Sequence, residues 1–426
     1  MRDEGIRHNP HSALLYDQLS WIYFNKMANS VDPAYPLYRQ ALAAEVMAVL
    51  DGPGELPLLE SIVAARRRQG GLEKFLATPE VRRLAEELRP LGVENLAADA
   101  YLIVRDKKTV FADILRQMPK LAILKDVALL NMGVELQKRL NVEVDILLEI
   151  SRKFPEIDWR LPQAQSLYWA WCGRQVMLRN NPQYDDLKFE RMIYFSLIQL
   201  AHGGSGMVTE SGMVIATPNP PMVDGIVRYM EKLLASRKDS GSVVGIRSGF
   251  AYFMETTVFN YYFADNLLQA EKIRQKLCDF TGDKRKYGVS LTQFVNQQLP
   301  EFISGLTERE STMLLVSFCN RAYRYLIAGN PRQFQEQMAW FDSNYQKLFN
   351  DWRQRFEGTF NWRQQYGMPS PEELKAQLAA QILAGRTQYS EREIAAFRKA
   401  MQKFLPQILG HAEKIVAGSQ PPPAKS

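Results

Sequence analysis

The sequence predicts an all-α protein built as an irregular helical repeat, an α-solenoid, with one small β-hairpin insertion. The chain has 426 residues, of which 46% are hydrophobic and 23% charged, the composition of a folded globular protein. Its apolar residues recur at three- and four-residue spacing, as in Ile123, Val127, Leu130 and Val134. Proline-containing breaks such as Asn181-Pro182 separate these stretches and mark helix boundaries.

The segment 202–221 departs from the helical pattern. Two short β-prone runs, 207–209 and 213–216, flank a Glu210-Ser211-Gly212 turn, which is typical of a hairpin. No lysine follows the glycines at 203–206, so the segment lacks the pattern of a phosphate-binding loop. We therefore expect an N-terminal helical region, a central helix pair, the hairpin, a C-terminal helical region and a disordered tail, at residues 1–150, 151–201, 202–221, 222–416 and 417–426.

The most specific motif lies in the first thirty residues. Asn9-Pro10 is followed, at the spacing of a tetratricopeptide repeat, by Tyr16, Leu19, Ser20 and Tyr23. In such a repeat a small residue lets the paired helix approach closely, and large residues fill the groove between neighbours. We therefore expect Ser20 at a close helix crossing, with residues 34–50 as the paired helix.

Three degenerate matches to this motif follow along the chain. They comprise Pro162, Tyr168 and Cys172-Gly173; Tyr261, Asp265-Asn266 and Ala270; and Tyr325, Gly329-Asn330 and Phe334. The intervals between their tyrosines are unequal, so the pattern indicates an irregular array rather than a uniform repeat of about 34 residues. By its place in the motif, Ala270 should also lie at a close crossing.

The stretches 6–16, 21–23, 158–162 and 167–170 resemble a group of uncharacterised bacterial tetratricopeptide-like proteins. The resemblance implies a membrane anchor and a further helix pair before the Asn9-Pro10 segment, and it implies no activity. We therefore expect the natural protein to extend before Met1, or to have its N-terminal edge covered. The reason is that the helix that carries Trp21 and Phe24 has more large apolar residues than a single buried stripe requires, so one of its faces would otherwise be exposed.

An aromatic cluster provides the candidate partner-binding residues. These are Trp159, Arg160, Tyr168 and Trp169. Tryptophan, tyrosine and arginine are enriched in the hot spots of protein interfaces, which favours a binding groove. The alternative is an ordinary helix–helix interface filled by the aromatic rings, with Arg160 paired to Asp158 near a helix N-terminus.

The reactive residue types favour a non-catalytic protein. Three widely separated cysteines, each in an apolar helical pattern, are expected to be small buried hydrophobes: Cys172, Cys278 and Cys319. His8 and His11 flank a turn instead of sharing a helix face, so we expect no metal site there. Asp185-Asp186 is the acidic pair of an alternative, an all-helical metal-dependent enzyme, but the second acidic motif that such enzymes need is not evident. We predict no catalytic residue, cofactor, bound metal or small-molecule substrate.

The charge balance gives no strong indication of a nucleic-acid partner. The chain has 53 Lys and Arg against 47 Asp and Glu, a net charge of +6. The basic runs at 66–68 and 284–286 are short and are expected to be solvated, whereas nucleic-acid binders concentrate basic charge on one face. An RNA-binding helical repeat remains an alternative.

The sequence therefore predicts a protein–protein interaction scaffold or adaptor in a bacterial assembly. Its expected partner is another protein or a second copy of the chain. No stretch reaches the roughly 18 apolar residues of a membrane-spanning helix. We expect a cytoplasmic protein, associated with a membrane only through an anchor before Met1 or through a partner.

Overall fold

The structure is a computed structural model. It describes residues 2–28, 34–106, 109–180, 186–203, 205–208, 214–217, 219–237, 243–264, 266–305, 308–355, 369–385 and 389–418. The chain divides into two compact units. The first unit comprises Met1–Tyr23 and Ala41–Ile193, and the second comprises Phe24–Gln40 and Tyr194–Ser426.

Twelve α-helices cover the described residues from 2 to 203. They are α1 (Arg2–His8), α2 (Ala13–Ile22), α3 (Tyr35–Leu50), α4 (Leu56–Gln69), α5 (Leu72–Leu76), α6 (Pro79–Leu88), α7 (Leu96–Asp106), α8 (Ala112–Leu115), α9 (Met118–Glu135), α10 (Val144–Lys153), α11 (Pro162–Asn180) and α12 (Leu187–Gly203). Short π-helices continue α2 and α9 at Tyr23–Met27 and Leu136–Leu140, and 3₁₀ turns lie at Arg89–Leu91 and Thr109–Phe111. The three boundaries between the units fall within the π-helix Tyr23–Met27, α3 and α12.

The described residues after 203 form two short strands and ten further α-helices. The strands are β1 (Ser205–Val208) and β2 (Val214–Thr217). The helices are α13 (Pro221–Ser236), α14 (Val243–Phe263), α15 (Leu267–Thr281), α16 (Lys284–Tyr287), α17 (Leu291–Gly305), α18 (Glu308–Ile327), α19 (Pro331–Arg355), α20 (Pro371–Leu383), α21 (Glu391–Phe404) and α22 (Pro406–Gly418). The prediction that the chain is predominantly helical is confirmed.

The β-strands lie in the segment for which a hairpin was expected. They pair antiparallel, with Ser205 opposite Thr217 and Val208 opposite Val214. Residues 209–213, which join the strands, lie outside the described part of the chain, as do residues 419–426 of the expected tail. None of the described helices is both long and apolar enough to cross a membrane.

In the first unit, α2 packs against α11 instead of the helix that follows it. Ser20 is fully buried, and its hydroxyl donates to the backbone oxygen of Ser166 (2.9 Å) and lies 3.1 Å from the Ser166 hydroxyl. The prediction that Ser20 lies at a close helix crossing is thus confirmed. The prediction that residues 34–50 form the helix paired with α2 was wrong. The helix that packs beside Ser20 is α11, which carries Ser166, 146 residues further along the chain.

The small residue of the second motif match has a similar role. Gly173 lies in α11, where a Cβ atom would stand 2.8 Å from Tyr16 Cβ and closer still to the ring of Phe189. Both neighbouring side chains are buried. Only glycine therefore allows α2 and the start of α12 to pack this closely on α11.

In the second unit, the last two motif matches are helix hairpins with the same turn. The backbone N–H of Asn266 donates to Tyr261 O, and that of Asn330 donates to Tyr325 O, both at 2.9 Å. Each asparagine side chain then caps the next helix by accepting from the N–H three residues later, at 3.3 Å for Asn266 and 3.2 Å for Asn330. Ala270, four residues after the first cap, is fully buried in α15. These local matches do not by themselves establish a solenoid.

Phenylalanines form much of the core of the second unit. Phe259 stacks on Phe302 with ring centroids 4.2 Å apart, and Phe263 meets Phe318 edge to face at 4.4 Å. Aromatic contacts of this geometry add to the hydrophobic burial that holds α14, α17 and α18 together.

Candidate functional site

A cleft in the first unit is the candidate functional site. Its volume is about 480 Å³, within the range of about 300–1,000 Å³ that is usual for ligand-binding pockets. It lies between the end of α1, the start of α2, the π-helix Leu136–Leu140, the start of α10 and the C-terminal half of α11. We call this site the cleft.

The floor of the cleft is apolar and aromatic. Its residues are Ile6, Tyr16, Ile146, Tyr168, Trp169 and Val176. Trp169 meets Tyr168 edge to face, with centroids 5.0 Å apart and planes at 89°, and its ring lies 6.0 Å from that of Tyr16. The Trp169 indole nitrogen is buried and has no hydrogen-bond partner among the described residues.

Hydrogen bonds hold the walls of the cleft in place. The Tyr16 hydroxyl donates to Pro10 O (3.2 Å), and the Tyr168 hydroxyl accepts from the backbone N–H of Glu143 (2.7 Å). The Asn180 side chain donates to His11 O (2.8 Å), so the end of α11 is tied to the turn before α2. Burial raises the pKa of both tyrosines. Their hydroxyls are therefore neutral structural groups at physiological pH.

The rim of the cleft is polar and carries more positive than negative charge. Its charged residues are two arginines, Arg7 and Arg179, and one carboxylate, Glu143. The other polar lining residues are His11, Gln137, Asn141, Gln175 and Asn180. Within the described part of the chain, neither arginine has a carboxylate within ion-pair distance.

Cys172 also lines the cleft, but it is not a reactive nucleophile at neutral pH. Burial raises the pKa of the thiol to about 12, although a hydrogen bond with Tyr168 acts in the opposite direction. Because the thiolate is the nucleophilic form, a thiol with this pKa is chemically inert near pH 7. Cys172 thus contributes shape and apolar surface to the cleft.

Two of the four candidate partner-binding residues lie away from the cleft. The Trp159 side chain is 1% exposed, and its indole N–H donates to the Ser151 hydroxyl (3.1 Å). Arg160 forms a bidentate pair with Asp158, from Nε to Oδ1 (2.9 Å) and from Nη2 to Oδ2 (2.7 Å), just before α11 begins. These contacts favour the packing interpretation for Trp159 and Arg160.

The other two candidates, Tyr168 and Trp169, form the floor of the cleft. Each is 2% exposed, so neither lies on an open surface. They are accessible only to a group that enters the cleft. The sequence analysis did not identify Arg7 and Arg179. The two arginines are 172 positions apart, and only the folded chain brings them to one cleft.

The acidic pair considered for a metal site has a different environment. Asp185 lies outside the described residues. Asp186 and Glu190 are buried, and the guanidinium Nε of Arg174 lies 2.6 Å and 2.8 Å from their carboxylate oxygens. No group of three or more potential metal ligands occurs among the residues that the structure describes. Asp186 therefore belongs to a buried ion-pair cluster.

The basic run at 66–68 is partly neutralised by acidic residues of neighbouring helices. Arg66 pairs with Asp145 of α10, and Arg68 pairs with Asp126 of α9 at 2.6 Å. Charges paired in this way contribute less to a phosphate-binding surface. The run joins three helices of the first unit.

The apolar face expected on α2 is partly exposed. Leu14 and Trp21, two turns apart on this helix, are 59% and 50% exposed. Phe24, which follows α2 and belongs to the second unit, is half-buried and contacts Phe195 of the same unit, with ring centroids 6.2 Å apart. The exposed fraction of Trp21 agrees with the expectation that α2 carries more apolar surface than one buried stripe.

Comparisons with known proteins add no family to this description. The chain matches no family model, no curated protein and no solved structure. The tetratricopeptide-like assignment therefore remains a prediction that rests on the residues of the motif and on the local contacts described above.

Proposed function

We propose that the chain is a non-catalytic scaffold or adaptor of the tetratricopeptide-like type, and that the cleft holds a segment of its protein partner. The observation that carries this proposal is the cleft itself, with its aromatic floor and hydrogen-bonding rim. Its walls come from helices that are far apart in the sequence and fixed to one another by hydrogen bonds. A site that is formed before binding loses little conformational entropy when it is occupied.

The lining groups suit a polypeptide ligand. Carboxamide side chains both donate and accept hydrogen bonds, and so match the alternating N–H and C=O groups of a peptide backbone. Four of them line the cleft: Gln137, Asn141, Gln175 and Asn180. Buried aromatic rings such as Trp169 provide the apolar contact area that anchors a partner's side chain.

The chemistry of the floor supports binding over catalysis. The hydroxyls of Tyr16 and Tyr168 are engaged with backbone groups, and burial keeps the Cys172 thiol protonated. A nucleophile needs an adjacent base or a lowered pKa, and the shift at Cys172 has the opposite sign. These groups therefore serve to hold a ligand in place.

Filling the cleft tests the proposal. Val176 is half-buried on α11 and lines the cleft, so Val176→Trp should occlude it. Leu102→Trp is the matched control, because Leu102 is 46% exposed on α7 and does not line the cleft. The tagged wild type and both variants are expressed in the source cell and purified by affinity, and their circular dichroism is compared first.

Partners recovered with the wild type and with Leu102→Trp but lost with Val176→Trp would support the proposal. The same partners at the same yield with all three proteins would contradict a role for the cleft. No partner with any of the three would contradict the scaffold function.

A further inference from the structure

We infer that the segment held in the cleft presents a carboxylate beside an apolar side chain, so that the partner docks through an acidic–hydrophobic stretch. This inference rests on the proposed function and specifies its ligand. Two features of the cleft point to this ligand, the two arginines of the rim and the aromatic floor.

Several arginines of the first unit are neutralised by carboxylates and, among the described residues, the arginines of the rim are not. Arg152 lies 3.0 Å from Glu60, Arg160 lies 2.7 Å from Asp158, and Arg174 holds two buried carboxylates. Arg7 and Arg179 have no such partner among the described side chains, and both line the cleft. Two guanidinium groups that share a concave site favour an anion with oxygen atoms, because each can donate two parallel hydrogen bonds to a carboxylate.

Arg179 lines the cleft close to its ionisable groups in electrostatic terms, and has no carboxylate partner among the described residues. Burial dominates the raised pKa of Tyr16 and of Cys172, and in both cases the positive charge of Arg179 acts in the opposite direction. Arg179 is also tied loosely within its helix, since its Nη2 lies 3.4 Å from Gln175 Oε1 one turn earlier. This contact with a neutral amide leaves the guanidinium without a charged partner among the described residues, so it is available to a ligand.

The one lining carboxylate does not cancel this preference. With the Gln137 amide oriented to satisfy its neighbours, its nitrogen donates to Glu143 Oε1 (3.0 Å) and to Val142 O (3.1 Å). The Glu143 carboxylate is therefore hydrogen-bonded to a neutral amide. The guanidinium groups of Arg7 and Arg179 have no carboxylate partner among the described residues. A ligand carboxylate would meet a net positive site, and a ligand lysine would meet a net repulsive one.

The aromatic floor of the cleft is the reason to expect an apolar side chain next to the ligand's carboxylate. The cleft that Arg7 and Arg179 line is also lined by the rings of Tyr16, Tyr168 and Trp169, together with Val176. Surface charge pairs alone contribute little affinity, whereas burying an aliphatic or aromatic side chain on this floor gives the larger favourable contribution. Charge then selects the segment, and the apolar side chain anchors it.

Three fluorescein-labelled heptapeptide pools provide the probe. In each pool a central residue, Glu, Gln or Lys, is flanked on both sides by an equal mixture of Leu, Ile, Phe and Trp, with Gly-Ser ends. Binding to the full chain is measured by fluorescence anisotropy. Free 3-phenylpropionate and its amide are added as competitors, because a small organic acid offers the same chemistry as the peptide side chain.

The variants separate the roles of charge and shape. Arg7→Gln/Arg179→Gln removes both rim charges. Arg67→Gln/Arg82→Gln removes two exposed arginines outside the cleft and serves as the charge-matched control. Val176→Trp blocks the cleft.

We expect the Glu pool to bind at least about tenfold more tightly than the Gln pool, and the Lys pool to bind weakest. The rim double variant should abolish the Glu-over-Gln preference and leave binding of the Gln pool unchanged, and the control variant should retain the preference. Val176→Trp should weaken every pool.

Equal binding of the Glu and Gln pools, or a preference that survives in the rim variant, would overturn the inference and leave the proposed function standing. Displacement by 3-phenylpropionate and not by its amide would support recognition of the carboxylate at this site. If the acid binds but no peptide pool does, the segment-binding function fails and so does the inference built on it. No binding of any probe would overturn the inference.

Discussion

Tyr194 and Gly249 provide a sharp test of packing in the second unit. The Tyr194 hydroxyl is buried with no hydrogen-bond partner among the described residues, and burial raises its pKa. A Cβ atom on Gly249 of α14 would overlap that hydroxyl oxygen and lie 2.9 Å from Tyr194 Cζ. Gly245, one turn earlier on the same helix, is exposed with open space around its Cα. The two glycines therefore differ in packing but not in secondary structure.

Alanine should have opposite effects at the two positions. Gly245→Ala gains helix propensity and should stabilise the protein by roughly 0.5–1 kcal/mol. Gly249→Ala gains the same propensity but must displace a buried ring, and overpacking of this kind costs about 1–3 kcal/mol. The expected net loss is about 1–2 kcal/mol, which lowers the melting temperature of a unit of this size by about 2–8 °C.

Removing the hydroxyl should relieve most of that loss. Tyr194→Phe deletes a buried polar group that has no partner, so this variant alone should be neutral or stabilising. In the double variant with Gly249→Ala, the closest overlap is gone, and the melting temperature measured by circular dichroism should recover most of the loss. A Gly249→Ala variant as stable as Gly245→Ala, or an equal loss in the Tyr194→Phe background, would refute the packing described here.

Three further outcomes are expected. Gly173→Ala should destabilise the first unit by about 1–2 kcal/mol, because its new methyl group would collide with two buried side chains, and urea denaturation that shows a gain in stability would contradict this contact. Ser20→Leu and Ala270→Leu should each cost roughly 1–3 kcal/mol at their buried positions, and unchanged melting of both would mean that neither crossing is tight. With iodoacetamide at pH 8, half-buried Cys278 should be alkylated first. Cys172 is buried and its thiol pKa is about 12, so it should be protected in the folded chain. Peptide mapping that shows equal alkylation rates for the two cysteines would contradict the burial of Cys172.

The local parts of the fold could be predicted from the sequence. Helix periodicity is a property of neighbouring residues, and so is the asparagine cap that ends each tyrosine motif at Asn266 and Asn330. The burial of Ser20 also followed from local spacing, because a small residue within an apolar stripe marks a close approach.

The choice of helix partner could not be predicted in the same way. Ser20 meets Ser166, and nothing in the spacing around either residue encodes a contact across 146 positions. The same limit applies to the candidate site. Tyr168 and Trp169 could be singled out by residue type, but their place in the cleft depends on which side of α11 faces the turn at Pro10, and Trp159 lies before that helix. Arg7 of α1 and Arg179 of α11 line the same cleft only in the folded chain.

The most direct test of the cleft as a binding site uses the indole N–H signals of the seven tryptophans. Trp169 lines the cleft, whereas Trp171 lies on the same helix, also has a buried indole N–H with no partner among the described residues, and does not line it. In ¹⁵N-tryptophan-labelled full chain, assigned by Trp→Phe substitutions, addition of the Glu peptide pool should shift the Trp169 signal in a saturable manner and leave the Trp171 signal in place. A Trp169 signal that does not move at peptide concentrations that saturate the anisotropy would contradict binding in the cleft.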